Sequence, residues 1–135
     1  MPQKLGPVVL LSCIAAVFVT GCTALPRATS EQVAAAQVGE PPKDAEDQIK
    51  KAMYTVLIDP TSPLYEFEPP HKDYSNRTGV IIYGWRVDFR ANSKNRMGGY
   101  TGWNDYSAFF ADGRLSHISR TAKGTDVHVF IYPPQ

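Results

Sequence analysis

Thiols are scarce in this chain. Its 135 residues include two cysteines, Cys13 and Cys22, and none follows Cys22. Whatever folds beyond that point has no disulfide, no cysteine nucleophile and no thiolate metal ligand. A long apolar run is missing too. The longest, Val8 to Val19, covers about 12 residues, whereas a transmembrane helix needs roughly 20. Charge is nearly absent at the start, where Lys4 is the only charged side chain before Arg27. Motifs of catalysis and phosphate binding are also lacking: the chain has no HExxH, GxSxG, SxxK, GxGxxG or GxxxxGK[ST]. The three histidines, His71, His117 and His128, are far apart. No metal and no cofactor is expected.

A basic start, a short apolar region and small residues at its end describe a secretory signal peptide. The segment closes on Val19-Thr20-Gly21-Cys22. These four residues resemble the lipobox of bacterial lipoproteins: an aliphatic residue, two small ones and then Cys. The resemblance implies a diacylglyceryl group on the Cys22 thiol, cleavage between Gly21 and Cys22, and acylation of the new amino group. It implies residues 1–21 as signal peptide and a membrane partner through the N-terminal lipid. Two or three acyl chains make that anchoring stable, because one chain holds only marginally. In such lipoproteins an Asp after the cysteine favours inner-membrane retention. Thr23 stands there, so the resemblance implies the outer membrane, facing the periplasm, with the inner or another cell-surface membrane as the alternatives.

Cleavage leaves about 114 residues, one small domain with a tether. The mature chain would carry 13 basic and 13 acidic side chains. They divide unevenly, with 5 basic and 9 acidic from Thr23 to Ser75 and 8 basic and 4 acidic beyond. Residues 22–43 lack a sustained apolar period and read as a lipidated flexible tether, with a transient helical turn over Ser30 to Gln37 ended by Gly39 and Pro41-Pro42. A flexible chain of that length spans roughly 25 Å. Residues 44–135 then read as the domain.

Asp44 to Ile58 carries the strongest helical pattern. Ala45, Ile49, Ala52, Met53, Val56 and Leu57 make one apolar stripe. Glu46 with Lys50, and Asp47 with Lys51, are i,i+4 pairs in the favourable order. Asp44 is the expected cap, and Asp59-Pro60 the stop. The remainder is β-rich. Leu64 to Glu68 is a strand candidate, His71 to Thr78 a polar loop, and Val80 to Ala91 a clean alternation. In that alternation Trp85, Val87, Phe89 and Ala91 share one face, and Arg86, Asp88 and Arg90 the other. Tyr106 to Ala111, the Asp112-Gly113 hairpin turn, Arg114 to Arg120, a turn over Thr121 to Thr125 and a strand over Asp126 to Tyr132 complete it. The expected fold is α+β, with one N-terminal amphipathic helix packed on an antiparallel sheet of four or five strands.

Between the longest strand candidates lies Asn92 to Trp103, rich in Asn, Gly, Lys, Arg, Tyr and Trp. The series Asp59-Pro60, Ser62, Asn92, Lys94, Asn95, Gly98, Gly99, Tyr100 and Gly102 resembles a set of small exported bacterial proteins of unassigned function. That resemblance supports a discrete domain and brings no activity with it. The segment reads either as a bulged hairpin whose Tyr100 and Trp103 cover the sheet edge, or as a binding loop. In the second case Tyr100 and Trp103 would stack on a sugar or side chain, and Lys94 and Arg96 would meet an anion.

The function expected from these features is an envelope binding or structural accessory, not an enzyme, with an envelope protein or glycan as partner and no nucleic acid. Two alternatives stand beside it. One is an envelope or cell-wall enzyme recruiting His117, His128 or Asp88. The other is an inhibitor of a cell-wall hydrolase that uses Lys94 to Trp103 as a plug.

Overall fold

The computed structural model describes residues 24–77, 79–121 and 128–133, with only the backbone of 121, 128 and 129. The signal peptide, Cys22, most of the turn expected over Thr121 to Thr125, and Thr78 lie outside the described residues. Among the described residues two short helices, α1 (Ser30–Ala35) and α2 (Ala45–Tyr54), precede six strands. These are β1 (Leu64–Phe67), β2 (His71–Ser75), β3 (Ile82–Lys94), β4 (Tyr100–Ala111), β5 (Arg114–Thr121) and β6 (His128–Ile131). The fold is α+β, and the antiparallel sheet has six strands where four or five were expected.

The additional strand is β2. Its sequence, His-Lys-Asp-Tyr-Ser, has no apolar alternation and reads as loop. Its backbone nevertheless pairs with Ile82 to Arg86. β1 pairs with the other half of the same strand, Phe89 to Asn92. Both therefore line one edge of β3, end to end, separated by Pro69-Pro70. Proline cannot donate to a ladder, so the pair breaks the edge where β3 itself runs on. From β3 the order continues β4, β5, β6.

β3 and β4 form the spine and are longer than their apolar alternation indicates. β3 continues to Lys94 and β4 begins at Tyr100, so most of the expected loop is paired backbone. The Asp112-Gly113 turn is as expected, with φ of 51° and 75°. Both residues sit in the left-handed region that a two-residue hairpin of this type requires.

One face of the sheet is apolar. Val87, Phe89 and Ala91 from β3, Ala108 and Phe110 from β4, and Leu115 and Ile118 from β5 are buried in one cluster with Ala45, Ile49, Ala52 and Met53 of α2. A bulge in β5, where Phe109 faces His117 but Phe110 faces Leu115, lets Leu115 and Ile118 reach the same core although three residues apart. Gln48 ties α2 to the hairpin turn. Its Nε2 donates to the Gly113 carbonyl at 3.1 Å, and its Oε1 accepts from the Leu115 N–H at 2.8 Å.

α2 is shorter than the expected Asp44–Ile58 helix. Asp44 does not cap by its side chain; its carboxylate accepts from Gln48 Nε2 at 3.0 Å instead. Val56 and Ile58 are exposed. Both are β-branched and lie within four residues of Pro60, where helix continuation is disfavoured.

The stretch expected to be tether contains α1, which begins with a capping box formed by Thr29 and Gln32. It lies against β2. Lys72 Nζ donates to the carbonyls of Ala34 and Ala36 at 3.2 and 3.0 Å. Asn76 Nδ2 donates to the Pro26 carbonyl at 2.8 Å.

Candidate functional site

The side chains of β3 that alternate with the core residues point to the opposite face, which no helix among the described residues covers. There Arg86, Asp88 and Arg90 stand in a row, flanked by Glu66 and Glu68 on one side and by Asp105, Ser107 and Ser119 on the other. Together they line an open cleft of about 750 Å³. Its charges are mostly engaged with neighbours. Arg90 Nε and Nη2 lie 2.7 and 2.5 Å from Glu66 Oε2, the residue directly across the ladder. The Arg90 guanidinium also stacks on Trp103, 4.7 Å from the ring centre. Arg86 Nε lies 2.7 Å from Asp73 Oδ2, an ion pair without hydrogen-bond alignment. Ser107 donates to Asp88 Oδ1, and His71 Nε2 lies 3.8 Å from Asp88 Oδ2. Asp105 faces Arg90 across the β3–β4 pair, yet has no ion pair among the described residues.

Nearer the start of β3 the same face turns aromatic. The His117 ring lies 5.6 Å from Phe109 and 5.6 Å from Phe130. Arg77 covers Phe130 and Tyr132 at 4.9 and 5.0 Å and donates to the Tyr132 hydroxyl at 2.5 Å. His117 is 7% exposed. Loss of water, with the Arg77 and Arg86 charges, pushes its pKa down to about 4. The imidazole is therefore neutral at ordinary pH.

The Asn92–Trp103 segment is a bulged hairpin. Its tip is closed by Asn95, which accepts at Oδ1 from the N–H groups of Met97 and Gly99 at 2.9 and 3.1 Å. Such an Asx turn is what asparagine does at a chain reversal. Asn92 Oδ1 accepts from the Gly102 N–H at 3.0 Å, where φ is +94°. That positive φ explains the glycine. Lys94 lies over the Tyr100 ring at 5.3 Å, and the Tyr100 hydroxyl donates to the Ser62 carbonyl at 3.2 Å. Met97, at 93% exposure, is the most exposed large apolar side chain described. Arg96 is exposed beside it. The tip is thus held by its asparagines and glycines, while Lys94, Arg96 and Tyr100 remain at the surface. Trp103 sits lower, where Arg90 joins it to the cleft.

Beside the tip, Asp59 accepts from the hydroxyls of Thr61 and Ser62 at 2.6 and 2.8 Å. Those two hydrogen bonds, the Thr61 N–H and the nearby Lys94 charge hold its carboxyl down at about 2. On the helix side, burial raises the Tyr65 hydroxyl to about 12 and raises Tyr106 as well.

The constellation of His117, His128 and Asp88 is not assembled. His128 pairs with Thr121, four residues along β5 from His117, and Asp88 faces Ser107 rather than either histidine. Ser107, Asp88 and His71 are neighbours, but the carboxylate stands in the middle. A nucleophilic serine needs the imidazole next to its hydroxyl and the carboxylate behind it. No group of three or more His, Cys, Asp or Glu side chains among the described residues could hold a metal ion. No helix among them is long and apolar enough to cross a membrane.

Sequence reasoning placed Arg86, Asp88 and Arg90 on a wet face but missed Glu66, Asp105 and Ser107 as their neighbours across the ladders. The signal was available in part, because Asp105 and Ser107 alternate with apolar Tyr106 and Ala108. Their pairing with β3 depended on where the hairpin reversed, and the apolar pattern does not mark that point. Compared with known proteins, the chain matches no family model, no curated protein and no solved structure.

Proposed function

We propose that this protein is a lipid-anchored envelope accessory that works by binding, with the cleft and the adjoining hairpin tip as its contact surface. The observation that carries this reading is the continuity between them. Trp103 stacks on Arg90 of the cleft, and the strand pair from Trp103 runs directly to Lys94 and Tyr100 at the tip. Charged groups of both signs, already oriented by their neighbours, lie next to the half-buried Trp103 and the exposed Tyr100. Such a surface suits a polar partner bearing carboxylates and ring faces, an envelope protein or a cell-wall glycan. Orienting the side chains beforehand lowers the entropy lost on binding.

The location in this reading is supported by the lipobox resemblance of Val19-Thr20-Gly21-Cys22 and by Thr23 after it: a lipidated Cys22 on the outer membrane, facing the periplasm. α2, the one amphipathic helix over the sheet, keeps the opposite face closed, so recognition falls to the face without a helix. The test is cross-linking in living cells with identification of the captured partner. Tyr100→Ala combined with Trp103→Ala is expected to abolish capture while the circular dichroism spectrum stays unchanged. Undiminished capture by that folded variant would refute the surface.

A further inference from the structure

The exposed apolar side chains gather at the two ends of the sheet. Val56, Ile58, Leu64, Met97 and Tyr100 lie toward the hairpin tip, and Leu25, Val80, Ile82, Phe130 and Tyr132 lie toward the start of β3. Composition does not separate these ends, since each also carries basic side chains. Reach does. The Pro26 carbonyl is hydrogen-bonded to Asn76, at the loop leading into β3, and α1 is fastened to β2 through Lys72. Four virtual bonds join Cys22 to Pro26, so a lipidated cysteine stays within about 14 Å of Pro26, and through it close to Asn76. β3 is 13 residues long, so the hairpin tip stands roughly 40 Å from that loop.

We infer that the end of the domain bearing Leu25, Arg77, Val80, Ile82 and Tyr132 docks on the bilayer that holds the lipid anchor, and that the hairpin tip points away from it. This rests on the lipidation of Cys22 in the reading above. The surface has the chemistry of a membrane interface. Val80, at 62% exposure, Leu25, at 55%, and Ile82, at 43%, are apolar side chains within the anchor's reach of the acyl region. Tyr132 is amphipathic and belongs at headgroup depth. Arg77 lies against two aromatic rings and spends one N–H on the Tyr132 hydroxyl, leaving further donors of its fork for lipid phosphates. A docked end would shorten the tether from a flexible 20 residues to about four, and would fix which way the cleft and tip face.

The full-length chain, processed in bacteria and purified with its lipid, tests this. The mature protein has no free thiol, so Val80→Cys and Met97→Cys each introduce one labelling site on an exposed side chain outside the strands. Each is labelled with an environment-sensitive fluorophore and reconstituted in vesicles of phosphatidylethanolamine and phosphatidylglycerol that contain bromine-labelled acyl chains. Quenching at position 80 is expected to exceed that at 97 by about threefold or more, as for a group held at the headgroup–acyl boundary. Equal quenching, or stronger quenching at 97, overturns the docking while leaving the anchor intact. Disulfide-linked dimers of the unlabelled Val80→Cys chain, together with no quenching in the labelled sample, also overturn it, in favour of a second copy of the chain on this surface. Mass spectrometry of the same samples separates the two readings: an unmodified Cys22 removes the anchor and the docking together.

Discussion

The two faces of the sheet are built from the same strands with the same alternation, yet they are held by different forces. Toward α2, Val87, Phe89, Ala108, Phe110 and Ile118 are at most 3% exposed and pack in one apolar cluster. On the other face, Arg86, Asp88 and Arg90 occupy the alternate positions of the same strand, each matched to a group across the ladder. Burial of a large apolar side chain contributes about 1.5–3 kcal/mol. An exposed ion pair contributes between about 0 and 1 kcal/mol, because water screens it and two long side chains must be ordered. Most of the stability therefore resides on the α2 face, with Phe109 and His117 the buried exceptions on the other.

The largest expected effect tests the covered face. Phe110 is fully buried, and Phe110→Ala is expected to lower unfolding free energy by about 4 kcal/mol, measured by urea denaturation. A loss below about 1 kcal/mol would break the assignment of stability to that face. Next comes the backbone shared by both faces. A Cβ on Gly84 would lie 2.1 Å from the Phe110 carbonyl oxygen and 2.9 Å from the Phe109 ring. Gly84→Ala must push β3 away from β4, and a loss of about 3 kcal/mol is expected. Wild-type stability in that variant would show that the strands can part without cost.

His117 gives the open face a contribution that depends on pH. Its pKa is lowered on folding, from an ordinary 6.5 to about 4, so between those values the unfolded chain binds the proton and the native chain does not. That contribution is complete above pH 6.5, falls with pH through that window, and is exhausted near pH 4. The loss should be on the order of 2 kcal/mol, and His117→Leu should flatten the slope of melting temperature against pH. An unchanged slope would place the acid sensitivity elsewhere. Asp59 shares the sign at lower pH: its carboxyl is held at about 2, so its share is lost as the solution is acidified below the ordinary carboxylate range.

The smallest expected effects on stability sharpen the contrast most. Arg90→Ala removes the Glu66 pair and the Trp103 stack. Both pair members are about half exposed, so the loss should stay below about 1 kcal/mol while partner capture falls. A loss comparable to Phe110→Ala would show that the open face is structural after all.

Much of this division was readable in residue order. The alternation from Trp85 to Ala91 assigned a dry face and a charged one, and Asp112-Gly113 marked a hairpin because both positions require φ above zero. The stripe of Ala45, Ile49, Ala52 and Met53 marked one side of a helix. Polar elements escaped. β2 pairs by its backbone alone, and its His-Lys-Asp-Tyr-Ser side chains carry no periodic signal. Asn92 to Gly102 read as loop because asparagine and glycine discourage strand, whereas here their side-chain and positive-φ roles shape a bulge within one. In the described residues before α2, α1 depends on Lys72 and Asn76, 36 and 50 residues distant from the carbonyls they hold.

By itself, then, the sequence determined the local terms: which residues alternate, where proline and glycine stop an element, that no thiol follows Cys22, and that Val19 to Cys22 has the form of an acylation signal. Only the tertiary structure decided which charges meet. Arg90 selects Glu66 and Trp103 over Asp105, Asn76 holds Pro26, and His117 is closed in by rings from two other strands. Contacts between residues far apart in the chain depend on register and on where each hairpin reverses. A shift of one residue would send every side chain of a strand to the opposite face.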